Sequence, residues 1–340
     1  MTSFYFFSNF GQLDSRNGQV QKALSISSLL QTVLNGRCQL IDVGHHWWYL
    51  LRLLHLASDC CVFGSLGRNG IRAFAIAYVC ARAVRFRRGR MRLYFFVVGG
   101  WIAELATRDP LIRSFLRSCS GVLVETQALA NDLSSVGVRA SVFPNFRILA
   151  EARPKAASEN VLRLCFCSRI RADKGPIEAI ALARELNARG WPTIIDFYGP
   201  CDAKFRQLFF DACQESFVTY RGTYSDLESA TQIMRAYDFL VLPTSYAGEC
   251  VPGAVVEAFF AGTPVIVSDW RFMKEVVHDG QNGLVIPLPG FAETACRRVV
   301  DLLQNREYEH YSARAVQDAG ERFSYQAAEG ALRRAVGKLE

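Results

Sequence analysis

The chain has 340 residues, of which half are apolar and 21% charged, with a net charge of +7. That balance excludes a disordered or fibrous chain, because enough apolar surface is present to fill a sizeable core, and at roughly 100–200 residues per domain the length predicts two domains. No run of 18 apolar residues occurs, which excludes a polytopic membrane protein, and the N-terminal stretch MTSFYFFSNFGQLD has neither the basic start nor the cleavage site of a signal peptide. The expectation is a cytoplasmic chain, at most peripheral on the inner face of a membrane.

In chain order, short apolar runs alternate with helical stretches. Strands are predicted over 3–7, 38–43, 59–63, 92–98, 121–125 and 140–143, with helices that include 19–34, 110–119 and 128–135. Each strand run is short and mostly apolar, as a strand buried on both faces should be. Residues 147–160, RILAEARPKAASEN, are polar and alanine-rich with no apolar period, and the linker is placed there. The alternation resumes with strands over 161–167, 193–198, 217–220, 239–243, 264–267 and 283–286. Helices are predicted over 176–187, 203–213, 225–236 and 253–261, then 291–304, 308–320 and 325–338. The fold class predicted is α/β: two Rossmann-like, doubly wound parallel sheets facing across a cleft, with ligands beyond the carboxyl ends of the strands. The domains are 1–147, a linker over 148–160, 161–325, and a C-terminal helix over 326–340 that packs back on the first domain.

Eleven cysteines form no C-x-x-C pair, and several sit in apolar runs such as Leu164-Cys165-Phe166-Cys167. They read as reduced, mostly buried small hydrophobes rather than a disulfide frame or a metal site. Charge is uneven. Residues 1–150 carry 17 Lys and Arg against 7 Asp and Glu, and residues 151–340 carry 22 against 25. Seven arginines fall close together: Arg72, Arg82, Arg85, Arg87, Arg88, Arg90 and Arg92, with Val84, Phe86 and Met91 between them. Such a stretch suits an anionic membrane face or a phosphate-bearing acceptor. It reads equally as a solvated helix face followed by a basic turn. No nucleic-acid-binding motif accompanies it, and no nucleic acid is expected as a partner.

Three constellations carry the chemistry. The first, Cys167 to Pro176, runs strand, loop, helix. Pro176 suits the first helical turn, the helix N-terminus favours an anion, and Arg169 and Lys174 add two cations at the same mouth. Read alone it is a diphosphate clamp or an ordinary pair of exposed loop cations. In the second, Glu249 and Glu257 are eight positions apart, one in a loop and one near a helix start. A carboxylate accepts two hydrogen bonds from vicinal sugar hydroxyls, yet Glu257 also gains from the macrodipole on structural grounds alone. The third, Gly262 to Asp269 followed by Glu275 and Asp279 to Leu284, is mostly turn punctuation.

Together, their order and spacing resemble the retaining glycosyltransferases of family 4, which have the GT-B fold. The Arg-x4-Lys-Gly element falls at Arg169 to Gly175, the E-x7-E element at Glu249 and Glu257, and the Gly-x-Pro-Val strand at Gly262 to Val265. The resemblance is carried by residues 160–290 and extends to the first half. It implies a transferase that moves a sugar from a UDP- or GDP-sugar to a glycan or lipid-linked acceptor, in bacterial surface polysaccharide or lipopolysaccharide synthesis. It also implies no bound metal and no permanent cofactor. Arg169, Lys174 and Glu249 are then the catalytic set. Donor binding falls to Gly18, Arg169, Lys174, Glu249, Cys250, Val251 and Glu257, with Glu249 on the sugar hydroxyls and Glu257 on the ribose. The loop Ser8 to Gly18 would approach the diphosphate through backbone N–H groups. Fixed cations would stabilise the charge that develops on the leaving diphosphate. The chain contains no Asp-x-Asp triplet to hold a divalent ion in their place.

Two departures stand out. Where many members carry Gly-Phe after the first Glu, this chain has Cys250-Val251, losing glycine's backbone freedom beside the sugar. The His that many members carry after the fourth strand is also missing from Val97 to Trp101. His45 and His46 follow the second strand and are cleft candidates, although a surface or core role is favoured for them, and Glu104 is a further candidate that helix N-terminal placement explains as well. No base is assigned, since in same-face displacement the leaving phosphate takes the acceptor proton. The same fold also serves nucleotide-sugar epimerases, hydrolases and phosphorylases, and non-catalytic sugar-nucleotide-binding subunits.

Overall fold

A computed structural model of the chain describes residues 2–11, 18–44, 46–57, 59–84, 90–149, 153–223 and 227–337. It divides into two units, one of Met1–Ile148 with Tyr325–Glu340, the other of Leu149–Ser324.

The first unit runs β1 (Ser3–Ser8), α1 (Gly18–Val33), β2 (Cys38–Asp42), a 3-10 turn (Trp47–His55), β3 (Cys60–Ser65), α2 (Ile71–Val84) and β4 (Met91–Phe96). It continues with α3 (Ile102–Arg108), α4 (Pro110–Ser118), β5 (Gly121–Val124), α5 (Gln127–Ser135) and β6 (Ala140–Val142). The six strands form one parallel sheet in the order β2-β1-β3-β4-β5-β6. Phe4 pairs with Cys38 on one side and Cys61 on the other. Helix starts follow the local chemistry. The Asp109 carboxylate accepts the N–H groups of Leu111 (3.0 Å) and Ile112 (3.3 Å) ahead of α4, with Pro110 at its first position. The Thr126 hydroxyl caps α5 through Leu129 N (3.3 Å).

The second unit runs β7 (Leu162–Cys167), a 3-10 turn (Ala172–Lys174), α6 (Pro176–Ala188), β8 (Thr193–Tyr198), α7 (Arg206–Ala212), β9 (Val218–Gly222) and α8 (Leu227–Arg235). Then come β10 (Phe239–Leu242), α9 (Gly253–Phe260), β11 (Val265–Ser268), α10 (Met273–Val276), β12 (Gly283–Ile286), α11 (Phe291–Gln304) and α12 (Tyr308–Phe323). Its sheet is also parallel, ordered β12-β11-β10-β7-β8-β9. All residues of β10, β11 and β12 are buried, as a doubly covered sheet requires. The last helix, α13 (Tyr325–Val336), belongs to the first unit. Ala328, Ala331 and Leu332 join Phe4, Phe63 and Phe96 in its core, and the Tyr94 hydroxyl donates to Val336 O (3.4 Å).

In each sheet the crossover direction reverses at one place, β1/β3 in the first and β7/β10 in the second. Loops leaving such a pair splay to opposite sides of the sheet and open a crevice at its carboxyl edge. Five elements were not bounded by the sequence pattern, among them α3 and the 3-10 turn Ala172–Lys174. The 3-10 turn Trp47–His55 falls between two strands, α10 is a single turn, and α2 lacks the apolar–polar alternation that marks helices. All eleven cysteines are free. Seven are buried, three are half-buried, and Cys80 is exposed on α2.

Candidate functional site

The loops that follow β7 and β10 meet at the switch point of the second sheet. After β7 the chain passes Ser168 and Arg169, makes the 3-10 turn, and reaches Gly175 at φ 75°. A Cβ at Gly175 would stand 2.3 Å from the Pro243 carbonyl oxygen, so the two loops approach as closely as glycine permits. Pro176 then opens α6. The β10 loop is tied to this turn by its main chain, Ser245 N donating to Asp173 O (2.8 Å). The Thr244 hydroxyl lies 3.2 Å from the same carbonyl and 3.0 Å from Glu249 Oε2, and it accepts Tyr246 N–H (3.1 Å). From β11, the Ser268 hydroxyl donates to Thr244 O (2.5 Å), and Trp270 Nε1 donates to Tyr246 O (2.9 Å).

This frame brings Lys174 and Glu249, seventy-five residues apart, into a charge-assisted contact of 2.5 Å between Nζ and Oε2, nearly closed off from water. The Tyr246 ring lies beneath, its centroid 4.6 Å from Lys174 Nζ and 5.1 Å from the Arg171 guanidinium. Arg171 is in turn held by Asp173, with Nη2 to Oδ2 at 2.7 Å. Arg169, two residues past β7, is exposed and makes no ion pair among the described residues. The loop cluster therefore carries one compensated lysine–carboxylate pair, one arginine neutralised by its neighbour, and one arginine open to an anion.

Glu257 is the fifth residue of α9 and is buried, 3% exposed. It lies within electrostatic reach of Cys167, the last residue of β7, whose thiol is pushed up first by burial and further by nearby charges including Glu257. Cys250 and Val251 are also buried, and Val251 joins the core of the second unit, so these two offer a ligand main chain rather than side chain. Gly18 opens α1 in the first unit, with nothing within 4 Å of a Cβ placed there. Residues 12–17 of the loop expected to reach the diphosphate lie outside the described residues, as do His45, Arg85, Arg87 and Arg88. His46 is exposed, with its ring 4.7 Å from Trp48 and 5.3 Å from Tyr49. Glu104 is an exposed residue of the first turn of α3.

The third constellation braces the fold. Gly262 (φ 66°) passes close to Arg153 O, and its own carbonyl accepts from Ser312 Oγ (2.6 Å). Asn282 accepts His278 N–H (2.9 Å) and donates to the buried Asp318 (2.5 Å). Tyr246, Thr244 and Arg171 escaped the sequence reading. A loop aromatic, threonine and arginine have no spacing signature, and only the apposition of two loops gives them roles. Missed as well is a pair in the first unit, Lys22 Nζ to Glu125 Oε1 at 2.5 Å, which lines a pocket with Ser25, Phe96 and Asn145 near the ends of β4 and β5.

Residues 162–305 match the family described as glycosyl transferases group 1, and this stretch is a glycosyltransferase domain holding β7 to α11 and the whole loop cluster. None of the curated proteins matches the chain. Among solved structures, Anabaena HepE, crystallised with UDP and glucose, superposes with a TM-score of 0.73 at 15% identity, covering 100% of both chains. Sucrose-phosphate synthase of Thermosynechococcus elongatus gives 0.75 at 13% identity over 98% of each chain. The pneumococcal O-GlcNAc transferase GtfA, in complex with UDP and GlcNAc, gives 0.64 at 16% identity over 84% of this chain and 58% of its own. The fold is that of the GT-B glycosyltransferases.

Proposed function

We propose that the chain is a retaining, metal-independent glycosyltransferase. It moves a sugar from a UDP- or GDP-sugar to a glycan or lipid-linked acceptor of the kind used in surface polysaccharide assembly. The observation that carries this is the Lys174–Glu249 pair at the switch point of a glycosyltransferase domain, with the uncompensated Arg169 in the same loop. A diphosphate entering there meets Arg169 first, and its charge draws Lys174 away from Glu249. The freed carboxylate then accepts hydroxyls of the donor sugar. As the glycosidic bond breaks, negative charge grows on the leaving phosphate, where Arg169 and Lys174 stabilise it more than in the ground state. The acceptor attacks from the same face, and the leaving phosphate takes its proton. Glu257 is assigned to the ribose and Gly18 to the diphosphate, as in the resemblance. The arginine excess of residues 1–150 supports an acceptor presented at an anionic cytoplasmic membrane face.

The test is a nucleotide panel. UDP or GDP should raise the melting temperature, a ligand at one hundred times its Kd adding about 2.7 kcal/mol. Turnover of the matching nucleotide sugar should follow. Arg169→Ala should weaken the response to nucleotide and to nucleotide sugar alike, and Glu249→Ala chiefly the response to the sugar. If UDP, GDP and ADP all leave the melting temperature unmoved, the donor-site assignment is wrong.

A further inference from the structure

Helix α2 has the sequence IRAFAIAYVCARAV, and apart from Tyr78 and Cys80 its only polar side chains are Arg72 and Arg82. Its inner face is conventional, with Ile71, Phe74, Ala75, Tyr78 and Ala81 buried. Its outer face is not. Arg72, Ile76, Val79 and Ala83 follow one another at helical spacing and all are exposed, Ile76 by 50%, and Val84 at the end by 60%. A surface helix of a globular protein normally turns charged and polar residues outward. The 3-10 turn Trp47–His55 packs beside α2 and repeats the pattern. Leu50 and Leu53 are buried, while Trp47 is 67% and Leu51 55% exposed, with Trp48 beside them.

We infer that the outward face of α2 and the adjoining turn Trp47–His55 form a docking surface for an anionic lipid bilayer. Two observations choose this occupant over a protein. Between Asp42 and Glu104 the chain holds a single acid, Asp59, against nine arginines. Of these, Arg52, Arg72 and Arg82 are exposed on the two elements themselves. Arg52 stacks 4.7 Å over the Tyr49 ring, which holds its charge beside the tryptophans. A second copy of the chain docking by this face would set these arginines against their own counterparts, whereas anionic headgroups meet them with opposite charge. Tryptophan, with an apolar body and one N–H, suits the headgroup boundary, and Ile76, Val79 and Leu51 supply aliphatic depth below it. The surface rests on the membrane part of the proposed function and gives it an address. Bilayer binding is read with no nucleotide present, so its failure leaves the donor chemistry standing.

The experiment is cosedimentation of the full chain with phosphatidylcholine vesicles, with and without about a third phosphatidylglycerol, at low salt and at about 0.5 M salt. The wild type should bind the anionic vesicles at low salt and the neutral ones far more weakly. Ile76→Ser/Val79→Ser should weaken anionic binding about tenfold at both salt levels. Arg52→Gln/Arg82→Gln should weaken it at low salt and flatten the salt dependence. All substituted groups are exposed, so melting temperature and the UDP shift should not move. Absence of binding to anionic vesicles at low salt overturns the inference. So does binding that survives Ile76→Ser/Val79→Ser, or a dimer in the ultracentrifuge that this double substitution dissolves.

Discussion

The two sheets share a strand count and an all-parallel plan, yet they place charge in opposite ways. At the β7/β10 switch point, charged side chains fill the loops: Arg169, Arg171, Asp173, Lys174 and Glu249 lie within two short segments. Among the described residues at the β1/β3 switch point, several polar side chains serve nearby backbone, and the loop after β3 carries one exposed arginine, Arg68. The Ser8 hydroxyl donates to Ser65 O (2.7 Å), Asn9 Oδ1 accepts Gly11 N–H (2.9 Å), and Asp42 Oδ1 accepts Gly44 N–H (2.9 Å). Arg72, Arg82, Arg108, Arg113 and Arg117 lie instead on helices of the first unit. One sheet plan thus gathers five charged loop side chains at the switch point of the second unit and, among the described residues, one arginine in the β3 loop of the first. Fold alone does not distinguish them; side chains at the loops do.

The sharpest way to break this contrast is to remove the crevice charges. Lys174→Ala or Glu249→Ala should lower donor turnover by about 100- to 1000-fold, the range for a lost transition-state donor or partner. Melting temperature should fall as well, because the pair is nearly closed off from water and either substitution leaves the other charge without its partner. Equal loss from Arg52→Gln/Arg82→Gln, measured with a soluble acceptor, would erase the distinction. Gly175→Ala attacks the loop frame itself. With φ at 75° and a Cβ 2.3 Å from Pro243 O, it should cost about 2–4 kcal/mol of stability, seen as a lower urea midpoint.

A pH scan reports on the first unit. Burial pushes the Cys38 and Cys61 thiols from 9.0 up to about 12. The unfolded chain releases these protons near pH 9 and the folded one does not. Their contribution is therefore complete below pH 9 and is lost as pH rises toward 12. The urea midpoint should fall across that window, and Cys38→Ala/Cys61→Ala should flatten the fall. Tyr246→Leu should lower kcat/KM about tenfold by releasing Lys174 and Arg171 from the ring, while Tyr246→Phe keeps most of it. If Phe is as impaired as Leu, the hydroxyl and not the ring face is what matters. Smallest is Asp109→Ala, which removes the α4 cap at about 1 kcal/mol and leaves the UDP response unchanged.

The alternation of buried runs and helices was legible because parallel strands covered on both faces are apolar throughout. Lys174 and Glu249 were legible as residue types at a spacing, but their contact was not, since it depends on Gly175 letting one loop rest on Pro243. Tyr246 was invisible for the same reason. Helix α2 was hard to bound because both its faces are apolar, and the local pattern that hid it is the property that makes its outer surface unusual. The burial of Glu257, Cys250 and Val251 was not legible either, because a loop motif read along the chain does not say which way its side chains turn.

The lysine–carboxylate contact also bears on donor choice under the proposed function. A nucleotide alone would draw Lys174 from Glu249 and leave that carboxylate without its cation, whereas an intact donor would bring sugar hydroxyls to it as well. On that proposal the pair would favour the two halves of the donor arriving together and would disfavour retention of the spent nucleotide.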